Sequence, residues 1–213
     1  MSTTTLNDPA PTVAPAAETG AVLQPLWVRV MHWINAAAML AMILSGWQIY
    51  NAAPLFDFQF SRALTLGGWL GGGLLWHFAA MWVLVINGAL YVILGFATGR
   101  FRRKLWPITL SGVASDLSQA VRLRLSHDDL SRYNAVQKLL YVGVLLVGAV
   151  SVASGLAIWK PVQFHSLTAV FGGYDTARYV HFFAMSAIVG FLAIHIVLAA
   201  LVPKALRAMI IGR

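Results

Sequence analysis

The 213-residue sequence has no cysteine. That absence excludes disulfides, cysteine-ligated iron–sulfur clusters and the C-x-x-C-H attachment of c-type haem, and it leaves cysteine usage silent about the redox compartment. Charge is also scarce. Only 10% of residues are Asp, Glu, Lys or Arg, 59% are hydrophobic, and the mean hydropathy is +0.74. Soluble domains carry roughly a quarter charged residues, so this composition describes an integral membrane protein. No G-x-G-x-x-G or P-loop pattern occurs, so the chain offers no nucleotide site. The net charge of +8 would suit a nucleic-acid partner, but the basic residues cluster at the ends of apolar stretches, where membrane orientation explains them; no nucleic acid is expected.

Residues 1–22 are rich in Pro, Ala and Thr, lack periodicity and are expected to form a disordered tail with no signal-peptide pattern. Residues 23–213 are expected to form one all-α bundle of four transmembrane helices, spanning about 28–50, 66–98, 135–159 and 179–202. The second stretch is longer than a crossing needs, so it tilts or extends beyond the lipid. Twelve of the 15 basic residues, including Arg29, Arg100, Lys138, Lys204 and Arg213, fall on one side; Arg62, Lys160 and Arg178 fall on the other. The bias predicts a multi-pass protein with both termini and the long second loop in the cytoplasm. In that loop Ser115-Asp116 could cap a short amphipathic helix lying on the membrane surface. No internal repeat stands out.

What the apolar spans do contain is histidine. His32, His77, His181 and His195 lie among Leu, Ala, Val, Trp and Phe, and ionisable groups at such depth face a bundle interior or bind something. His181 and His195 are 14 residues apart on one span, just under four helical turns, so they share a face roughly 20 Å apart. The predicted orientation pairs His32 with His195 near the cytoplasmic side and His77 with His181 near the outer side. Each pair could hold one metal between two helices, since neutral imidazole is a common metal ligand and an axial ligand of haem iron. A zinc site wants four ligands, usually with Cys or carboxylate, and no acidic residue lies near the middle of these spans, so a bulky flat cofactor fits better. The glycines at 67, 68, 71, 72 and 73 read either as close helix packing alone, through G-x-x-x-G pairs, or, as favoured, as room for a macrocycle with or without such packing. One membrane histidine alone would be explained equally well by an interhelical hydrogen bond; four that pair by depth are not. His127 and His165 read as surface residues. Asn35 and Asn87 read as interhelical hydrogen-bonding amides, and Trp33, Trp47, Trp106 and Trp159 as an aromatic belt.

The stretch Arg29-Val-Met-His32-Trp33-Ile-Asn35-Ala36 resembles the R-x-x-H-W opening of bacterial di-haem b-type cytochromes: the cytochrome b561 proteins and the cytochrome b subunits of nickel–iron hydrogenases, thiosulfate reductases and formate dehydrogenases. The spacing of His181 and His195 looks the same as theirs, and the likeness runs from about Arg29 to Lys204. It implies a four-helix bundle in the bacterial inner membrane holding two haems b. His32 and His195 would ligate the inner iron and His77 and His181 the outer one, in a subunit that passes electrons between a quinone and a partner oxidoreductase. The partner would be an extracytoplasmic molybdoenzyme or hydrogenase, and the chain an electron-transfer subunit, not a stand-alone enzyme. Tyr133-Asn134-Ala135-Val136-Gln137-Lys138 is similar to the Y-N-A-G-Q-K stretch of formate dehydrogenase membrane subunits, with Val136 in place of Gly; it implies a quinone contact at Asn134 beside the inner haem. Arg29, Lys138 and Arg178 sit at heights suited to haem propionates, as they would for interfacial snorkelling. Two alternatives stay open: a self-contained b561-type quinone oxidoreductase acting on a small redox substrate such as superoxide, and a histidine-lined proton or metal transporter. The lack of intramembrane carboxylates and of broken helices weighs against the transporter.

Overall fold

A computed structural model describes residues 24–105 and 135–212. The expectations for the N-terminal tail, the Ser115–Asp116 helix, Trp106, His127 and Asn134 lie outside the described residues. Within them the fold is helical. Helix α1 spans Leu26–Ala52, α2 Leu70–Ala97, α3 Arg100–Leu105, α4 Ala135–Trp159, α5 His165–Val170, α6 Tyr174–Leu201 and α7 Pro203–Ile211, with a single 3₁₀ turn at Arg62–Leu64. Four of these, α1, α2, α4 and α6, are long and apolar enough to cross a membrane. In hydrocarbon every backbone amide needs a partner within its own segment, which a continuous helix supplies. At about 1.5 Å per residue, helices of this length exceed a hydrocarbon core of about 30 Å, so their ends reach the headgroup zone.

The helices pack in two pairs. α1 runs along α2 and α4 along α6, and no comparably close backbone packing joins one pair to the other among the described residues. Within the first pair, Gly73, His77, Ala80, Asn87 and Gly95 recur on α2 at helical spacing, and four of them are buried. Gly73 comes so close to α1 that a Cβ there would lie 3.0 Å from Cγ of Gln48. Asn87 Nδ2 donates to Asn35 Oδ1 and to the Met31 carbonyl, both at 2.8 Å, so the two amides bridge the helices as expected. On α6, Ala177, Ala184 and Ile188 are buried on the face that carries His181 and His195.

Two boundaries differ from the sequence expectation. α6 begins at Tyr174, ahead of the expected 179, because Gly172 and Gly173 take positive φ (81° and 104°) and turn the chain straight from α5 into a first turn carrying Asp175. α2 begins only at Leu70, so Gly67 and Gly68 precede the helix and form no G-x-x-x-G seam. Both have positive φ, and a Cβ on Gly67 would lie 2.3 Å from the Gly73 nitrogen. This glycine run folds the chain over the first turn of α2: a Cβ on Gly67, Gly71, Gly72 or Gly73 would meet protein atoms, whereas one on Gly68 would meet none.

Candidate functional site

The helix pairs are bridged by imidazoles. His181 of α6 faces His77 of α2 with ring centroids 6.4 Å apart and planes at 73°. His195 of α6 faces His32 of α1 at 6.0 Å and 62°. The pairing by depth is thus also a pairing in space. A metal–imidazole bond is about 2.1 Å and the ring centroid lies about 1.1 Å behind the nitrogen, so two rings sharing one metal in line place their centroids about 6.4 Å apart. The outer pair sits at that spacing and the inner pair about 0.4 Å inside it. No group of three or more His, Cys, Asp or Glu side chains gathers among the described residues, so each site offers two imidazoles and no more, which suits a metal whose other ligands come with it.

The outer pair is held by two copies of one local arrangement that sequence reasoning missed. On α1, Ser45 donates its hydroxyl to the Ala41 carbonyl at 2.5 Å, and its Oγ lies 3.1 Å from Nδ1 of His77. The same Nδ1 is 3.2 Å from the Met42 carbonyl. On α4, Ser154 donates to the Val150 carbonyl at 2.7 Å, with Oγ 3.2 Å from Nδ1 of His181, and that Nδ1 is 2.9 Å from the Ser151 carbonyl. A carbonyl only accepts, so both Nδ1 atoms carry the proton and both Nε2 atoms keep the lone pair that a metal needs. A glycine follows each serine: a Cβ on Gly155 would crowd Cε1 of His181 at 3.1 Å, while one on Gly46 would just touch Cε1 of His77 at 3.4 Å. Ser45 and Ser154 are the largest fully buried side chains among the described residues. The only trace in the sequence is a repeated Ser-Gly dipeptide, one in each of two spans.

The inner pair is positioned differently. Phe191 stacks on His195, centroids 5.8 Å apart and planes at 13°, and Trp33 meets His32 edge-on at 5.3 Å. Among the described residues neither inner ring accepts or donates a hydrogen bond. Arg29, one turn before His32, has a buried Nε with no partner among the described residues. Its guanidinium lies against Gly212, where a Cβ would come within 2.5 Å of Nη1. A buried N–H without an acceptor is costly, and a carboxylate beside the inner pair would supply one to Arg29 Nε. Trp47 likewise buries an unpartnered Nε1 while stacking on Phe60 at 4.6 Å. Facing imidazoles and a half-buried arginine whose Nε lacks an acceptor among the described residues together fit a bis-histidine haem with its propionates.

Other expected residues lie as follows. Lys138 is in the first turn of α4, one turn after the undescribed Asn134. Arg178, considered for a propionate, donates to the Ala53 carbonyl at 2.6 Å and ties the α1–α2 connection to α6. His165 is exposed at the start of α5.

Fold and site together define an all-helical membrane protein built around two stacked imidazole pairs. The chain belongs to the prokaryotic cytochrome b561 family, which matches residues 23–212; haem b binding comes with that membership. It is also 47% identical over 190 residues, 89% of this chain and 96% of the relative, to the "Putative protein-methionine-sulfoxide reductase subunit YedZ1" of Azospira oryzae. No solved structure matches.

Proposed function

We propose that the chain is the membrane-embedded electron-transfer subunit of a two-part oxidoreductase, with His32 and His195 holding an inner haem b and His77 and His181 an outer one. The observation that carries this reading is the stacking of two facing imidazole pairs on one helix face, at the separation a shared metal requires. Bound there, the two haems would supply one-electron redox chemistry along the bundle. The chain would hold each haem between two imidazoles, which favours electron transfer over ligand binding, and would surround it with apolar helix. Arg29, half-buried one turn before His32, offers the inner site an Nε–H that has no partner among the described residues. Asn134, Gln137 and Lys138, at and just before the first turn of α4, are proposed to meet a quinone headgroup near the inner pair.

The name of the Azospira oryzae relative suggests the partner. In this reading the partner is a separate extracytoplasmic reductase subunit that converts methionine sulfoxide in proteins to methionine. The overall balance closes: a quinol yields two electrons and two protons on becoming a quinone, and the sulfoxide takes up two of each to give the thioether and water. The chain sits in the bacterial inner membrane with the outer pair toward that partner.

The test is a reduced-minus-oxidised absorption spectrum of the purified protein with a haem-to-protein ratio. Two haems b per chain are expected. His77→Ala or His181→Ala should remove one of them, and His32→Ala or His195→Ala the other. A ratio near one in the unmodified chain, or a loss pattern joining His32 to His77, would overturn the reading.

A further inference from the structure

The serine–carbonyl clamp occurs twice, on helices that do not pack together, and only on the outer pair. In each copy the serine hydroxyl hydrogen is used on its own helix, at Ala41 or Val150, so the oxygen lone pairs are left for the histidine. In each copy the carbonyl three residues earlier, Met42 or Ser151, shares the same Nδ1 proton. Each outer imidazole N–H therefore gives its hydrogen to two acceptors at once inside apolar helix, where hydrogen bonds are electrostatically stronger than in water. A ring nitrogen that donates strongly on one side becomes a better electron donor on the other, as with the partners that orient metal-bound histidines.

We infer that Ser45 and Ser154 are positioning residues for the outer histidines: with the tautomer set by the Met42 and Ser151 carbonyls, each serine oxygen also accepts the Nδ1–H of His77 or His181 and enriches the opposite nitrogen in electron density. The oxidised outer haem is thereby stabilised, and its reduction potential lies below what the same two histidines would give without the serines. The inner pair, flanked by Phe191 and Trp33 and without such bonds among the described residues, gains nothing of the kind. The inference rests on the two-haem reading proposed above. It adds that the chain sets the redox difference between its two sites by backbone-anchored hydrogen bonding at one of them. The serines are also the reason two spans carry a Ser-Gly pair. The hydroxyl holds the ring and the missing Cβ admits it.

Potentiometric titration of the purified protein, followed by absorption and by the low-spin ferric EPR signals, tests this. The outer component is identified as the one missing in His77→Ala. Ser45→Ala and Ser154→Ala should each shift the outer haem's oxidised-to-reduced ratio at fixed potential toward the reduced form by about tenfold, about 59 mV upward for one electron. The inner component should stay unchanged and so reports that the bundle is folded. Ser45→Thr, whose hydroxyl can make the same bond to the preceding turn, should bring the outer component back toward its original potential. Loss of the outer signal alone in an Ala variant, restored by Thr, supports positioning equally. Two Ala variants that keep both haems at unaltered potentials, or that move the inner component instead, would overturn the inference. Failure of the two-haem reading would show earlier and separately, as a deficit of haem in the unmodified protein.

Discussion

A single missing carbon decides how near a helix can come to an imidazole, and the two outer rings test this to different degrees. Gly155 leaves 3.1 Å between a hypothetical Cβ and Cε1 of His181, whereas Gly46 leaves 3.4 Å to His77. The second distance is ordinary contact; the first requires a neighbour to yield by a few tenths of an ångström. Gly155→Ala should therefore tilt His181 and change the EPR anisotropy or occupancy of the outer haem, while Gly46→Ala should do so much less. Equal effects at both positions would show that the rings are not seated as described. Asn134 makes a separate prediction from its place just before α4: Asn134→Leu should weaken quinone-dependent reoxidation by about ten- to hundredfold, the cost of losing one buried hydrogen bond, and leave both haems in place. Unchanged quinone kinetics would move that site elsewhere. At this scale the sequence was legible for the histidines, because an ionisable group in an apolar span has few explanations. Ser45 and Ser154 were not legible. A serine in a span ordinarily bonds the carbonyl four residues back, as both do, and their second role exists only once another helix brings a histidine alongside.

Among the elements, the α1–α2 pair shows what holds helices together when lipid is as apolar as their side chains. Close packing at Gly73 and the amide bridge from Asn87 to Asn35 and Met31 supply it. Asn87→Leu removes both donated bonds and leaves two acceptors facing apolar surface. It should lower stability by about 1–2 kcal/mol, read as an earlier midpoint in a detergent-unfolding titration, with the haem content per chain unchanged. A midpoint that does not move would mean the bridge contributes nothing beyond packing. The four spans could be read from hydropathy because length and apolarity suffice to define a crossing. Gly67 and Gly68 were expected inside the second helix and lie before it, because composition does not say where a helix starts. Positive φ at Gly67 and Gly68 makes those residues a turn, while the glycines that do face histidine, Gly46 and Gly155, stand singly in their spans and attract no notice.

At the scale of the whole molecule the open choice is which end faces the cytoplasm. The structure gathers several chain segments at the end of the inner pair. Gln24 takes the Gly212 carbonyl with its backbone N–H at 3.5 Å, Arg100 donates to Gln24 Oε1 at 2.6 Å, and Trp33 Nε1 donates to the Met209 carbonyl at 3.3 Å. The start of α1, the far end of α2 and α7 thus meet on one side, as four crossings require whatever the charge. Charge then selects the side: Arg29, Arg100, Lys204 and Arg207 lie at this end, and Arg62, Lys160 and Arg178 at the other. Positively charged flanks are retained in the cytoplasm, so this end should face inward, placing His32 and His195 near the inner leaflet and His77 and His181 near an external partner. Reporter fusions after Lys104 and after Arg213 should therefore report cytoplasm, and one after Phe171 the outside. An external signal from the C-terminal fusion would exchange the two sites: the serine-clamped pair would then face the cytoplasm, and an extracytoplasmic reductase would have to draw its electrons from the pair seated by Phe191 and Trp33.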